Sequence, residues 1–184
     1  MFLSRTQCFY SRLPANDYQL FTLPLAALKK DSSNKIVTVA KNNCLSILAE
    51  THYNRTNLTI VSLILDANPS INDVNLIRIN QPIKIPEITK NSLIVEEPDG
   101  SCRIYLGTFE TPDAAKHYQY EAILKEKELN VVPRKVSPRE TWYRVEVKKI
   151  KSREESLQII NILLQKGLLP ALGEFTNPQT VGNT

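Results

Sequence analysis

The sequence is poor in the residues that carry most enzyme chemistry. Its 184 residues include only two histidines, His52 and His117, and three cysteines, Cys8, Cys44 and Cys102. The cysteines are odd in number, lie far apart and form no C-x-x-C pair, so no disulfide framework or redox motif is indicated. Neither histidine has the H-x-x-x-H spacing of a zinc site. We therefore expect no catalytic residue, no metal and no cofactor, and an enzyme is the least supported class.

The sequence also lacks an excess of one charge and any long apolar run. Its 23 basic and 19 acidic residues leave a net charge of +4, too mild to predict the basic face of a nucleic-acid-binding protein. No apolar run approaches the roughly 20 residues of a membrane span. Polar residues interrupt positions 1–9, so a secretory signal is not visible there. The length permits one domain or two small ones.

The first half of the chain predicts a strand, two helices and a second strand. A β-branched run predicts the first strand, and apolar residues at helical spacing predict both helices. The second helix should end at Asn68, because Pro69 disfavours helical backbone in the residue before it. Prolines at both ends limit the last strand to a sheet edge. The predicted elements span 35–39, 45–52, 60–67 and 82–86.

Four motifs in this segment resemble the LysM family. The family's order is a strand, G-D-T-L, two helices, N-P-x-I and G-Q-x-L-x-I-P. Asn42-Asn43-Cys44 replaces Gly-Asp-Thr, and Asn80 replaces the glycine before Gln81, although Asn tolerates left-handed backbone and can still bond sugar. The matching stretches are Val37-Thr38-Val39, Asn43-Cys44-Leu45-Ser46-Ile47, Asn68-Pro69-Ser70-Ile71-Asn72 and Asn80-Gln81-Pro82-Ile83-Lys84-Ile85-Pro86.

The LysM resemblance implies a shallow N-acetylglucosamine groove. It would lie between the loop after the first strand and the loop after the second helix. The alternative is a folded module that has lost its sugar affinity and packs on protein, because a fold does not by itself carry its function. The groove residues implied are Asn42, Asn43, Cys44, Leu45, Asn68, Pro69, Ser70, Ile71 and Asn72.

The second half predicts the order βαββαβ, an antiparallel sheet with both helices on one face. Pro98-Asp99-Gly100 is a turn signal that closes a linker, in which Ser92-Leu93-Ile94-Val95 is a candidate strand. Thr111-Pro112-Asp113 opens a helix whose buried face would hold Ala115, Tyr118 and Ala122. A capping box at Ser152 opens the second helix, which Gly167 ends. Predicted strands lie at 102–106, 131–132, 142–147 and within 168–175, and the apolar stripe of the second helix is Leu157, Ile160 and Leu164.

This segment looks like a SPOR domain, through Tyr105-Leu106-Gly107-Thr108-Phe109 and Trp142-Tyr143-Arg144-Val145-Glu146-Val147. A second G-x-F is absent, with Lys148-Lys149-Ile150 in its place. The resemblance implies binding of peptide-free glycan strands on the sheet face opposite the helices. That face could instead be solvated or buried against protein. Alternation assigns Ile104, Leu106, Tyr143, Val145 and Val147 to the helix side, and leaves Arg103, Tyr105, Trp142, Arg144 and Glu146 facing out as the predicted glycan surface.

An RNA-recognition module has the same strand order but is not supported. It would need a Gly-aromatic-Gly/Ala-aromatic run in its third strand, where this chain has alternating charges. The apolar stretch at 18–25 predicts an N-terminal arm that packs on a neighbouring domain or docks a partner protein.

Together these features predict an α+β protein of two small domains. The predicted ranges are an arm or linker at 1–34, a LysM-like domain at 35–88, a linker at 89–100, a SPOR-like domain at 101–176 and a flexible tail at 177–184. The expected function is non-catalytic binding of peptidoglycan glycan strands in the periplasm of a bacterial cell envelope, with a signal sequence removed. Two linked sites would raise avidity. The alternative is an assembly subunit whose two modules dock other envelope proteins.

Overall fold

The computed structural model describes residues 34–173, so the predicted arm before Asn34 and the predicted tail at 177–184 lie outside the described residues. The described part contains four α-helices and two antiparallel sheets, which confirms the α+β class. It belongs to a single compact unit rather than to two separate ones.

The N-terminal half, residues 34–88, has the predicted order of strand, two helices and strand. β1 (Lys35–Thr38) pairs antiparallel with β2 (Pro82–Ile85), and α1 (Leu45–Tyr53) and α2 (Leu58–Ala67) lie between them in sequence. The helix α2 begins two residues earlier than predicted, because the Asn57 side chain accepts a hydrogen bond from the backbone N–H of Ile60.

Two asparagines in this half occupy left-handed backbone where the LysM pattern has glycine. Asn42 has φ 68° and Asn80 has φ 66°. Among non-glycine residues, asparagine is one of the few that visit this region readily. Both loops therefore keep a tight turn without the glycine.

The C-terminal half, residues 89–173, contains β3 (Ile94–Glu96), β4 (Cys102–Phe109), α3 (Lys116–Gln119), β5 (Glu128–Ser137), β6 (Glu140–Ile150) and α4 (Arg153–Gln165). Its four strands form one sheet in the order β3-β4-β6-β5. The Ser152 hydroxyl accepts a hydrogen bond from the Glu155 N–H, as the predicted capping box requires. Gly167, at φ 67°, terminates the last helix.

The strand order of this half differs from βαββαβ. Residues 168–173, the described part of the predicted last strand, form no strand: Leu168 and Leu169 are irregular and buried in the core, and a turn follows at 170–172. The place beside β4 is taken by β3, which comes from the segment expected to be a linker and pairs Ile94 with Ile104. The order is therefore ββαββα.

Both helices of this half also depart in detail from the predictions. The helix α3 is short, because the N–H of Glu121 bonds back to the carbonyl of Tyr118. Ala122 therefore lies beyond the helix and is exposed. In α4 the predicted Ile160 is fully buried and Leu157 and Leu164 pack half-buried against the same core, but Ile159 and Leu163 are more deeply buried than those two leucines.

Two apolar clusters share the helix α2 as a wall. The first lies in the N-terminal half and includes Ile60 and Ile64 on one side of α2. The second contains buried residues of the four-stranded sheet, among them Tyr105, and of α4, and Leu63 of α2 packs against it. Because α2 also contacts β4, the helix covers part of the sheet face that lies opposite α4.

Candidate functional site

The sheet face predicted to bind glycan is covered. Tyr105, Trp142 and Glu146 are only 6%, 3% and 3% exposed, and Arg103 and Arg144 are half-buried. The expectation that these five side chains face solvent is therefore wrong. Alternation placed them on the correct side of the sheet, but a period of two cannot reveal what packs on that side.

A polar layer joins this face to α2. The Thr108 N–H donates to Thr59 Oγ1 at 3.0 Å. Arg134 Nη1 donates to the Asp66 carboxylate at 2.7 Å and to Ser62 Oγ at 2.9 Å. Arg144 also pairs with Asp66. One carboxylate on α2 thus pairs with two arginines of the sheet, and these bonds fix the helix on the face.

The remaining residues of the face bond to each other. Arg144 lies over the Tyr105 ring, 4.7 Å from its centroid, and burial raises the pKa of the Tyr105 hydroxyl. Arg103 Nη1 donates to both oxygens of Glu146, at 3.0 and 2.9 Å. A sugar that bound to this face would have to displace α2 and break these pairs.

The predicted groove residues of the N-terminal half serve different purposes. Asn68 is buried, and its side chain donates to the carbonyls of Ile64 and Lys84 and accepts from the Lys84 N–H, at 2.7 to 2.8 Å. Its role is therefore to hold the end of α2 against β2. Leu45 is buried in the core, whereas Asn43 and Ile71 are half-buried and Asn42, Cys44, Pro69, Ser70 and Asn72 are exposed.

Several of these loop residues line cavities, and Pro69, Ile71 and Asn72 line one of about 330 Å³ beside Asp66 and Arg134. Ser70, Ile71 and Asn72 line a cavity of about 520 Å³ within the α2–β2 loop, together with residues from Asp73 to Gln81. A further cavity, of about 460 Å³, has a floor that includes the buried Leu45, Val61 and Trp142. It lies where the loop before α1 approaches the loop after α2, and we call it the composite cavity. Its lining residues are Cys44, Leu45, Ser46, Thr56, Asn57, Leu58, Val61, Val74, Asn75, Glu140 and Trp142.

The composite cavity brings together Cys44 and Leu45 from one predicted site and Trp142 from the other. The hairpin of β5 and β6 carries Trp142 into the apolar cluster of the N-terminal half. The Val74 N–H donates to the Val136 carbonyl at 2.8 Å, which holds the α2–β2 loop against this hairpin. Sequence reasoning missed Val74, Asn75 and Glu140, because no local pattern signals a contact between segments some sixty residues apart.

The cavity has an apolar floor and a polar rim, the usual composition of a small-ligand site. Both α1 and α2 begin at its edge. Cys44 occupies the N-cap position of α1 without a side-chain hydrogen bond to the helix. The N–H groups of the first turn therefore remain available as donors. Also in the lining, Glu140 Oε1 accepts the indole N–H of Trp142 at 2.6 Å.

Comparison with known proteins gave no match: no family model, no curated protein and no solved structure resembles the chain significantly. Within residues 34–173, no group of three or more His, Cys, Asp or Glu side chains could hold a metal ion. None of the helices in this range is long and apolar enough to cross a membrane.

Proposed function

We propose that this protein is a non-catalytic binder of N-acetylglucosamine-containing peptidoglycan strands in the periplasm of a bacterial envelope, and that it binds through the composite cavity alone. The observation that carries the proposal is the position of this cavity. It is lined by Cys44 and Leu45, which belong to the groove that the LysM resemblance implies, and by Val74 and Asn75 of the α2–β2 loop, a few residues beyond the implied Asn68–Asn72. Its apolar floor and polar rim suit a pyranose ring with its hydroxyl and acetamido groups.

The C-terminal half then acts as support for the site. It resembles a SPOR domain in its strands, but its predicted sugar face is used to hold α2 and to deliver Trp142 to the cavity. The protein would therefore bind glycan at one site, without the avidity of two.

The test is retention of the full chain by purified peptidoglycan sacculi. Ser46 is exposed on the rim of the composite cavity, and Ser46→Tyr should fill the cavity without disturbing the core. Thr51→Tyr is the matched control, because Thr51 is exposed on the same helix and does not line the cavity. We expect the unmodified chain and Thr51→Tyr to sediment with sacculi and Ser46→Tyr to stay in solution. An unmodified chain that stays in solution at low salt would end the proposal.

A second function is favoured by the covered sheet face. In this chain a face that resembles a glycan surface is an intramolecular docking surface, which is the behaviour expected of an assembly subunit. In that case the full chain would form a defined complex with an envelope protein and ignore sacculi. Light scattering of the purified chain with and without sacculus-derived glycan separates the two functions, because only the glycan binder forms a complex with sugar.

A further inference from the structure

Glu140 gives the composite cavity a charge that the sequence resemblances do not imply. It is the first residue of β6 and is half-buried at the cavity wall. Among the described lining residues it is the sole carboxylate, and none of them is a lysine or an arginine. A ligand in this cavity therefore meets one full negative charge that no lining cation neutralises.

The carboxylate is held in place by a buried neighbour. Trp142 is 3% exposed, so its ring has little freedom, and its indole N–H binds Glu140 Oε1. Oε2 accepts no hydrogen bond from any residue in the described range and can accept one from a ligand. A fixed acceptor of this kind discriminates between ligands better than a mobile one.

The same lining includes the N-termini of two helices. The first turns of α1 and α2 carry backbone N–H groups and a partial positive charge of about +0.5 each, which fades within a turn, although the Ile60 N–H of α2 is already bonded to the Asn57 side chain. The lining thus contains both hydrogen-bond donors and one carboxylate. An uncharged group with both a carbonyl acceptor and an N–H or O–H donor, such as an acetamido sugar, can pair with both.

We propose that Glu140 is the specificity-determining residue of this cavity, and that it selects uncharged N-acetylated amino sugars over sugars that carry a carboxylate. This inference rests on the proposed glycan binding. A free lactyl carboxylate, as on N-acetylmuramic acid in strands stripped of peptide, would face the Glu140 charge in a partly desolvated site. Without Glu140, the partial positive charges of the helix N-termini would attract the lactyl carboxylate. The charge of Glu140 is therefore what makes the cavity prefer an uncharged sugar.

The experiment is calorimetric titration of the full chain with three tetrasaccharides. The first is the N-acetylglucosamine tetramer. The second alternates N-acetylglucosamine with N-acetylmuramic acid and has free lactyl acids, and the third is the same sugar with its lactyl groups converted to amides. The amide has the bulk of the acid without its charge. We expect the unmodified chain to bind the amide at least tenfold more tightly than the acid, which corresponds to about 1.4 kcal/mol.

Glu140→Gln should abolish that preference, since glutamine keeps the shape and an oxygen that accepts the Trp142 N–H. Glu126→Gln is the matched control, because it removes the same charge from an exposed position that does not line the cavity. It should leave the preference intact. The melting temperature of each variant shows whether it is folded.

The outcomes separate the two proposals. Equal affinity of the unmodified chain for the acid and the amide overturns the role of Glu140, and this result requires no variant protein. Tight binding of either sugar would still support glycan binding. A preference that persists in Glu140→Gln also overturns the role of Glu140. Failure to bind all three sugars overturns both proposals.

Discussion

Replacing Trp142 with alanine should destabilise the whole described unit. The side chain is 3% exposed and lies in the apolar cluster of the N-terminal half, although its strand belongs to the C-terminal sheet. A buried aromatic side chain covers about 150–250 Å², which at about 25 cal/mol per Å² contributes roughly 4–6 kcal/mol. Measured losses for buried Trp→Ala changes are about 3–5 kcal/mol. For a chain of this size the melting temperature should fall by roughly 6–20 °C.

The assay is thermal unfolding followed by calorimetry and far-ultraviolet circular dichroism. Because Trp142 connects the two halves, we expect one transition in the unmodified chain rather than two. Tyr120→Ala is the matched control, since Tyr120 is 85% exposed and its removal should change stability by no more than about 0.5 kcal/mol. A Trp142→Ala protein that melts within 2 °C of the unmodified chain would refute the burial of this residue and the packing of the hairpin on the N-terminal half.

Three further predictions concern the contacts that hold the fold. Asp66→Asn should lower the free energy of unfolding by about 1–2 kcal/mol in urea titration, because two arginines lose their shared carboxylate. Asp113→Asn is the control, because its ion pair with Lys116 is at the surface and its loss should have little effect. Asn68→Ala should cost about 2–4 kcal/mol by the same measurement, since three backbone partners lose their hydrogen bonds, and an unchanged midpoint would contradict its structural role. Burial raises the pKa of Tyr53 to about 12, so its contribution is complete below its ordinary pKa of about 10 and is lost as the pH rises towards 12. Tyr53→Phe should therefore flatten the fall of the urea midpoint between about pH 10 and 12, and an unaltered slope would show that Tyr53 titrates normally.

Local signals predicted the elements of the N-terminal half well. The end of α2 before Pro69 and the order of its elements follow from neighbouring residues, and the structure confirms them. The capping box at Ser152 and the terminating Gly167 were equally local. Each of these predictions depends on residues within about four positions, where the physics of caps and turns is decisive.

Local sequence patterns did not predict the long-range strand pairing of the C-terminal half. The runs at 92–95 and 168–175 are both apolar, and either could have filled the sheet edge beside β4. The pairing of Ile94 with Ile104 places the first run there, and Leu168 is buried in an irregular segment instead. A choice between two competing edges depends on tertiary packing that propensity does not contain.

The composite cavity could not be predicted from the sequence for a related reason. Alternation identified Trp142 and Glu146 as residues on one face, but the cover of that face is a helix some eighty residues earlier in the chain. Glu140 carried no motif at all. Its significance depends on Val74 and Asn75, which reach the same cavity from the α2–β2 loop.

The shared helix α2 has a practical consequence for dissecting this protein. A fragment that starts after residue 88 would strip the cover from Tyr105 and Trp142 and present aromatic and charged groups that the intact chain keeps inside. Such a fragment could adhere to sugars, to plastic or to itself through a surface that the native protein never displays. Retention of the isolated half on a glycan column would thus reflect the surface that truncation exposes, and not a binding site of the intact protein.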